Sequence, residues 1–169
     1  SAGYTIAELS NIFDQMKPDV VVVLADRYEN LPVAICASYM NIPLAHIQGG
    51  EITGSIDEKV RHAITKLSDI HFTSTERSKK FVIRMGENDK MVFNTGCPSI
   101  DLVKKINDKL PLNKLSKFGV GSKLNKNDKY LVVMQHPVTT EIKSTTSQIK
   151  ETIKAIKIVP IVNKIKTVA

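Results

Sequence analysis

Apolar residues follow two spacings along this 169-residue chain, one typical of helices and one typical of buried strands. Helices are predicted by the first spacing at residues 4–17, 30–39, 57–67, 75–85, 99–106 and 145–156. Strands are predicted by short aliphatic and β-branched runs at residues 20–24, 44–47, 70–73, 91–94 and 130–134. The runs at 20–24 and 130–134 do not alternate, so both are expected to be buried strands, the first on both faces of a parallel sheet. Strands that alternate with helices predict a doubly wound α/β fold.

Composition narrows the class of protein. With 42% hydrophobic residues, the chain has enough apolar material for a core. The longest apolar run, residues 20–25, is too short to cross a bilayer, and the first residues lack a signal-peptide pattern, so no membrane partner is expected. Cys36 and Cys97 lack metal-ligand spacing, which favours two free thiols in a cytoplasmic protein and predicts no metal site.

The net charge of +7 is unevenly distributed. Residues 1–103 carry 10 Lys and Arg against 13 Asp and Glu, whereas residues 104–169 carry 14 Lys against 4 Asp and Glu. This excess of lysine lacks the arginines and interleaved aromatic rings of nucleic-acid sites, so solvated lysine faces are favoured and no nucleic-acid partner is expected. Residues 110–128, rich in Lys, Asn, Gly and Ser, are expected to form a linker or a long surface segment.

Residues that could bind a ligand or take part in catalysis follow the predicted strands. They would lie at the carboxyl edge of the sheet, where ligands bind in open α/β folds. They are Asp26, Gln48, Glu51, Ser74, Thr75, Gly96 and His136. Asp26 could hold a sugar hydroxyl, a metal ion or a catalytic proton, or it could cap the next helix together with Glu29. His136 lies between a strand and a proline and could donate to a phosphate or act as an acid. Residues 96–99 fit a tight turn followed by a helix cap at Ser99.

The loop at residues 46–58 is the richest of these segments. It contains His46, Gln48, Gly49, Gly50, Glu51, Gly54, Ser55, Asp57 and Glu58. Its glycines would let the backbone approach a ligand closely, and its carboxylates offer acids and bases. Part of the loop also fits a capping box, in which Ser55 and Glu58 cap a helix and Asp57 lies in its first turn. In that helix Arg61 precedes His62, which could form a cationic edge with Lys66 or serve a structural role.

Six ordered motifs together carry a family resemblance. They are Asp26-Arg27, residues 46–51, residues 54–58, residues 61–66, residues 95–99 and residues 136–140. These motifs resemble the hydrolysing UDP-N-acetylglucosamine 2-epimerases of sialic acid and legionaminic acid synthesis. The resemblance implies the GT-B fold, in which two Rossmann-like domains have parallel sheets with helices on both faces. The chain would be a fragment of it: residues 1–109 the later part of the N-terminal domain, 110–128 the linker, and 129–169 the start of the C-terminal nucleotide-binding domain.

The resemblance also implies a reaction. UDP leaves by elimination as the proton on carbon 2 of the sugar is removed, and water then adds to the glycal, giving UDP and N-acetylmannosamine without a metal or nicotinamide cofactor. Asp26, Asp57 and His136 match catalytic positions, and His136 would face the diphosphate. Many relatives have glutamate where this chain has Gln48, and an amide cannot take up a proton. Either Glu51 supplies the carboxylate, or Gln48 orients the substrate, or the activity is altered.

The remaining motif residues are expected to contact the UDP-sugar substrate. They are Arg27, His46, Gly49, Gly50, Ser55, Arg61, His62, Gly96 and Ser99. A second departure from the family is Ala25, where glycine is common before the aspartate. Family habit implies a homo-oligomer, a dimer or a tetramer. The alternative to catalysis is a nucleotide-sugar-binding protein without turnover, or an inactive epimerase fragment.

Overall fold

The computed structural model describes residues 1–106, 120–121, 132–158 and 166–167. The chain divides into two compact units, Ser1–Ile106 and Asn107–Ala169, and each is described by itself. The predicted linker at 110–128 lies outside the described residues except for Val120–Gly121.

A parallel four-stranded sheet forms the centre of the first unit. Its strands pair in the order in which they occur along the chain: β1 Val21–Leu24, β2 Leu44–Ile47, β3 Ile70–Thr73 and β4 Val92–Asn94. Its helices are α1 Ala2–Met16, α2 Asn30–Tyr39, α3 Ile56–Leu67, α4 Glu76–Arg84 and α5 Pro98–Lys105, and a 3-10 turn spans Asp89–Met91. The alternation of strands and helices that the sequence predicts is confirmed in this unit.

The core lies between one face of the sheet and helices α1 to α3. Paired residues of parallel strands point to the same face, and the face that includes Val23, Leu44, His71 and Val92 is buried. Against the β1–β2 part of this face pack Phe13 of α1, small residues of α2 and Ile64 of α3. Helix α4 follows beside α3 and contacts β3 and β4. The four helices therefore share one face of the sheet.

The opposite face of the sheet is only partly covered among the described residues: Ala45 is buried there, but larger side chains are exposed. Val22, Leu24 and Phe93 are 56%, 53% and 44% exposed. The prediction that the first strand is buried on both faces is therefore wrong, because its burial alternates along the strand. The physical reason is the strand order: right-handed crossovers between strands added in one direction place every connecting helix on the same side.

Helix boundaries follow local chemistry. Thr75 caps α4, because its hydroxyl accepts a hydrogen bond from the Ser78 N–H at 3.1 Å, and Gly86 follows the helix at φ 96°. Ser99 does not cap α5, contrary to the prediction. Instead Cys97 is the cap residue and Pro98 occupies the first helical turn, where a missing N–H costs nothing.

The second unit contains helix α6, Thr145–Ile158, which confirms the helix predicted at 145–156. Its other described elements are a 3-10 turn at Thr139–Ser144 and the antiparallel two-residue strands β5 Val120–Gly121 and β6 Lys166–Thr167. The buried strand predicted at 130–134 is wrong for the part the structure describes, since Val132–Met134 are exposed and not in a strand. An apolar run forms a strand only where a neighbouring strand supplies hydrogen-bond partners.

Both cysteines are free, as the sequence predicts, with Cys36 buried in the core. Among the helices in the described part of the chain, none is both long and apolar enough to cross a membrane.

Candidate active site

The carboxyl ends of β1 and β2 lead into left-handed backbone. Ala25 and Gln48 each add one more ladder bond, from Ala25 N–H to the Ile47 carbonyl at 2.8 Å and from Gln48 N–H to the Phe72 carbonyl at 2.7 Å. Both residues then adopt positive φ, 55° for Ala25 and 64° for Gln48. This conformation is energetically unfavourable for residues with a Cβ, and residues strained in this way are often found at functional sites.

Arg61 of α3 joins two of the polar segments at this edge. Its side chain is 5% exposed, and its guanidinium donates to the Asp26 carboxylate and to the backbone carbonyl of Glu51. A buried guanidinium needs such partners, because an unpaired charge in the interior is strongly destabilising. Arg61 therefore fixes the position of Asp26 relative to the 46–58 loop. Its burial makes it a positioning residue for Asp26, and its direct contact with substrate stays a prediction.

Asp26 does not cap helix α2, which was the structural alternative. Helix α2 begins after Glu29, no side-chain cap bond is formed there, and the Asn30 amide instead donates to the Leu24 carbonyl at 2.5 Å. The Asp26 carboxylate is turned toward Arg61 and remains 25% exposed. It is thus oriented by the interior and accessible from outside.

His46 lies in the protein interior and contacts the residue that precedes Asp26. It is fully buried, with Nε2 at 2.9 Å from the Ala25 carbonyl and Nδ1 at 3.1 Å from the Thr65 hydroxyl. Burial lowers the pKa of His46 to about 4, so the ring is neutral at pH 7. Since a carbonyl only accepts, Nε2 of the neutral ring carries the proton, and Nδ1 accepts at the Thr65 hydroxyl, whose single proton is also offered to the Arg61 carbonyl, 3.0 Å from the hydroxyl oxygen. His46 thus ties α3 to the residue before Asp26, and its contact with substrate stays a prediction.

This buried histidine predicts a pH dependence of stability. The pKa of His46 is about 4 in the folded state and near its usual value when unfolded, so the unfolded chain binds one more proton between about pH 6.5 and 4. The buried neutral His46 makes its full contribution to the free energy of unfolding above pH 6.5. As the pH falls toward 4, the free energy of unfolding decreases by roughly 3 kcal/mol. Urea unfolding of the native chain and of His46→Gln at several pH values measures it. We expect the difference between the two to shrink across this window, and parallel curves would contradict the assignment.

The glycines at 49 and 50 serve packing. A Cβ on Gly49 would lie 2.9 Å from Nδ1 of His46 and 3.0 Å from the Thr65 hydroxyl. A Cβ on Gly50, which has φ 81°, would lie 2.5 Å from the Ser78 carbonyl oxygen. These contacts let the loop approach α3 and α4 closely. Both glycines are buried against the protein, and Gly50 also borders a cleft. That the two glycines let the backbone approach a ligand stays a prediction.

Gln48 connects the end of β2 to the segment after β4. Its side-chain amide lies 3.4 Å from Sγ of Cys97, within the distance of a weak N–H···S hydrogen bond. Gly96, just before, has φ 82° and open space around its Cα. The contact holds the Gln48 side chain at the carboxyl edge of the sheet, where the prediction placed it. The role of Cys97 as its partner is not visible in the sequence, because 49 residues separate the two.

The first turn of α3 gathers carboxylates at the surface. Asp57 is exposed and accepts a hydrogen bond from the Ser55 hydroxyl at 3.2 Å. Glu58 reaches back and accepts from the N–H groups of Gly54 at 2.5 Å and Thr53 at 2.6 Å, which lower the pKa of its carboxyl. This arrangement differs from the predicted capping box, since the Ser55 hydroxyl makes no cap bond. The loop is braced by Glu58, and Asp57 is left accessible.

His62 and Lys66 do not form the cationic edge that the sequence suggested. Lys66 lies 2.5 Å from a carboxylate oxygen of Glu87. His62 lies 3.6 Å from Glu58, and its ring centroid is 5.1 Å from that of Phe81. Both ring nitrogens of His62 are buried without a hydrogen-bond partner in the described part of the chain. The charge of Lys66 is therefore neutralised by Glu87, and His62 packs against Phe81.

Three further predicted residues are exposed. Arg27 is exposed and pairs with Glu29 at 2.8 Å, and Ser99 is exposed on α5. His136 belongs to the second unit, where it is exposed. Over the residues that the structure describes, no group of three His, Cys, Asp or Glu side chains is arranged to hold a metal ion.

Comparison with known proteins identifies the family. The sequence model described as UDP-N-acetylglucosamine 2-epimerase matches residues 1–169. The chain belongs to this family. It is 42% identical over 157 residues to the polysialic acid biosynthesis protein P7 of Escherichia coli, covering 92% of the chain and 39% of that protein. It is 40% identical over 157 residues to the hydrolysing GDP/UDP-N,N'-diacetylbacillosamine 2-epimerase of Campylobacter jejuni, covering 91% and 39%.

Solved structures of the family share the fold. The UDP-N-acetylglucosamine 2-epimerase of Rickettsia bellii matches with a TM-score of 0.68 at 23% identity, over 92% of this chain and 42% of that one. The epimerase of Neisseria meningitidis bound to UDP-GlcNAc matches with a TM-score of 0.60 at 28% identity, over 69% and 33%. The α/β, GT-B-like fold class is thus confirmed, and the chain spans about two fifths of the curated family members it matches.

Proposed function

We propose that this chain provides the sugar-side catalytic groups of a hydrolysing UDP-N-acetylglucosamine 2-epimerase that releases UDP and N-acetylmannosamine. The observation that carries the proposal is the buried Arg61, which holds the Asp26 carboxylate beside the 46–58 loop. Family membership and the hydrolysing relatives support it. Because the chain spans about two fifths of those relatives, the complete reaction belongs to the protein that contains this chain.

The proposed chemistry has two steps. In the first, a base takes the proton from carbon 2 of the sugar while the bond from carbon 1 to the diphosphate oxygen breaks, so that UDP leaves and a glycal with a carbon 1–carbon 2 double bond remains. In the second, a proton is delivered to carbon 2 from the other side and water adds to carbon 1. Both steps need a positioned acid–base group and carboxylates near the cation-like anomeric carbon.

The residues divide these roles by their placement. Asp26 and Asp57 offer accessible carboxylates, and Glu51 offers a third on the lining of the neighbouring cleft. Gln48 cannot exchange a proton, so we assign it to orienting the sugar with the help of Cys97. His136, with the second unit, is assigned to the diphosphate of the substrate. We place the domain boundary near residue 106, close to the predicted end at 109, and propose a cytoplasmic location because both thiols are free.

Turnover in heavy water tests the proposal. The protein containing this chain is incubated with UDP-N-acetylglucosamine, and products are followed by phosphorus and proton NMR. We expect free UDP and N-acetylmannosamine that carries deuterium at carbon 2, because the abstracted proton exchanges with solvent. N-acetylmannosamine that retains hydrogen at carbon 2 would contradict the elimination, and a UDP-sugar product would contradict hydrolysis. Binding of the substrate without any UDP release would favour the non-catalytic alternative.

A further inference from the structure

A half-open cleft of about 750 Å³ lies between helix α4 and the loop that follows Gly49. Loop residues 50–53 line one side, and the other side is formed by α4 with Arg77, Lys80, Phe81 and Arg84. The volume falls in the range of about 300–1,000 Å³ that small-molecule sites occupy. The cleft is therefore large enough for a ligand of nucleotide size.

The α4 wall of this cleft is positively charged. Arg77, Lys80 and Arg84 are spaced three and four residues apart, so their side chains share one stripe of the helix. All three are exposed, and none forms an ion pair within the described residues. The carboxylate of α4, Glu76, accepts a hydrogen bond from Asn94 at 2.9 Å instead. The stripe thus presents three cations to the cleft.

General basicity of this part of the chain does not explain the stripe. Residues 1–103 hold 13 acidic and 10 basic residues, yet four of those basic residues, Arg77, Lys79, Lys80 and Arg84, fall within the nine residues of α4. Cations concentrated on one wall of a cleft attract anions more strongly than the same cations dispersed over a surface. The local charge is therefore opposite in sign to that of its surroundings.

The remaining lining refines the class of ligand. The residues that line the cleft include one carboxylate, Glu51, and three cations, so the charge of the lining is positive. At 1.5 Å per residue, the stripe from Arg77 to Arg84 extends about 10 Å, which is longer than a single phosphate. Phe81 adds an apolar ring beside the cations, backed by the ring of His62 at 5.1 Å. An elongated anion with linked phosphate groups fits these features best.

We propose that this cleft is a binding site for a diphosphate group, separate from the site at Asp26. Asp26 is turned toward the buried Arg61, and neither residue lines the cleft. The bound group would be either a free diphosphate or the diphosphate of a nucleotide, since both present two linked, negatively charged phosphate groups. The site does not depend on the proposed epimerase reaction.

Calorimetric titration of the full chain with inorganic pyrophosphate tests the proposal. We expect Lys80→Gln/Arg84→Gln to weaken binding at least about tenfold, because charge-assisted contacts to phosphate are lost. The matched control Lys79→Gln/Lys90→Gln removes the same charge outside the lining and should change the affinity less than about twofold. All four positions are at least partly exposed, so folding is expected to be preserved.

Four outcomes decide the proposal. Unchanged affinity in the cleft variant would overturn it, and so would an equal loss in both variants, which would show unspecific attraction. A selective loss for both pyrophosphate and UDP supports a nucleotide diphosphate as the occupant, whereas a selective loss for pyrophosphate alone supports the free diphosphate. UDP release from UDP-N-acetylglucosamine is measured separately, so failure of the epimerase reaction leaves this binding result standing.

Discussion

Asp26→Asn is expected to lower the rate of UDP release about a thousandfold, because an amide keeps the shape of the carboxylate but cannot exchange a proton. The matched control is Glu29→Gln, which removes an exposed carboxylate three residues away that pairs with Arg27. The control should turn over at the native rate. Rates are measured with a coupled assay for UDP under saturating substrate.

Loss of the ion pair with Arg61 must be separated from loss of chemistry. The Arg61 side chain is 5% exposed, and a buried cation without its partner destabilises the fold. Thermal unfolding of Asp26→Asn therefore accompanies the assay. Asp57→Asn provides a second case, because Asp57 is exposed and its replacement should abolish turnover without a change in Tm. Native turnover in either variant would remove that residue from the mechanism. If the loss of rate in Asp26→Asn equals the fraction of the variant that is unfolded, the role of Asp26 is structural.

Gly50→Ala is expected to reduce the free energy of unfolding by about 3 kcal/mol, since strain at positive φ adds to a steric clash. The added Cβ would lie 2.5 Å from the Ser78 carbonyl oxygen and 2.7 Å from Cγ2 of Val82, both on α4. Because the Ser78 carbonyl belongs to the helix backbone, the clash can be relieved only if α4 moves away from the loop. Urea unfolding measures the loss.

Gly54→Ala is the matched control for this substitution. Gly54 also has a positive φ, 74°, but no atom lies within 4 Å of an added Cβ. Its replacement should therefore cost only the backbone term of about 1 kcal/mol. Equal losses at the two positions would show that packing against α4 does not decide the need for glycine at position 50.

Local patterns were sufficient for most of the regular structure. Helix α2 and strands β2 and β3 begin and end at the predicted residues, because their apolar runs are bounded by proline, glycine and polar residues that stop each element. The exposed side of β1 and the absence of a strand at Val132–Met134 were not predictable in this way. Burial of a strand depends on which other elements cover it, and that information lies elsewhere in the chain.

The sequence by itself determined the family, the order of strands and helices, and the polar residues collected at the carboxyl edge of the sheet. Only the tertiary structure decided how those residues work together. It buried His46 and Arg61 behind Asp26, assigned Gly50 to packing against α4, and faced Arg77 and its neighbours toward a cleft. The physical reason is that these contacts join residues far apart in sequence, such as Arg61 and Asp26 at a separation of 35, and neither spacing nor composition encodes them.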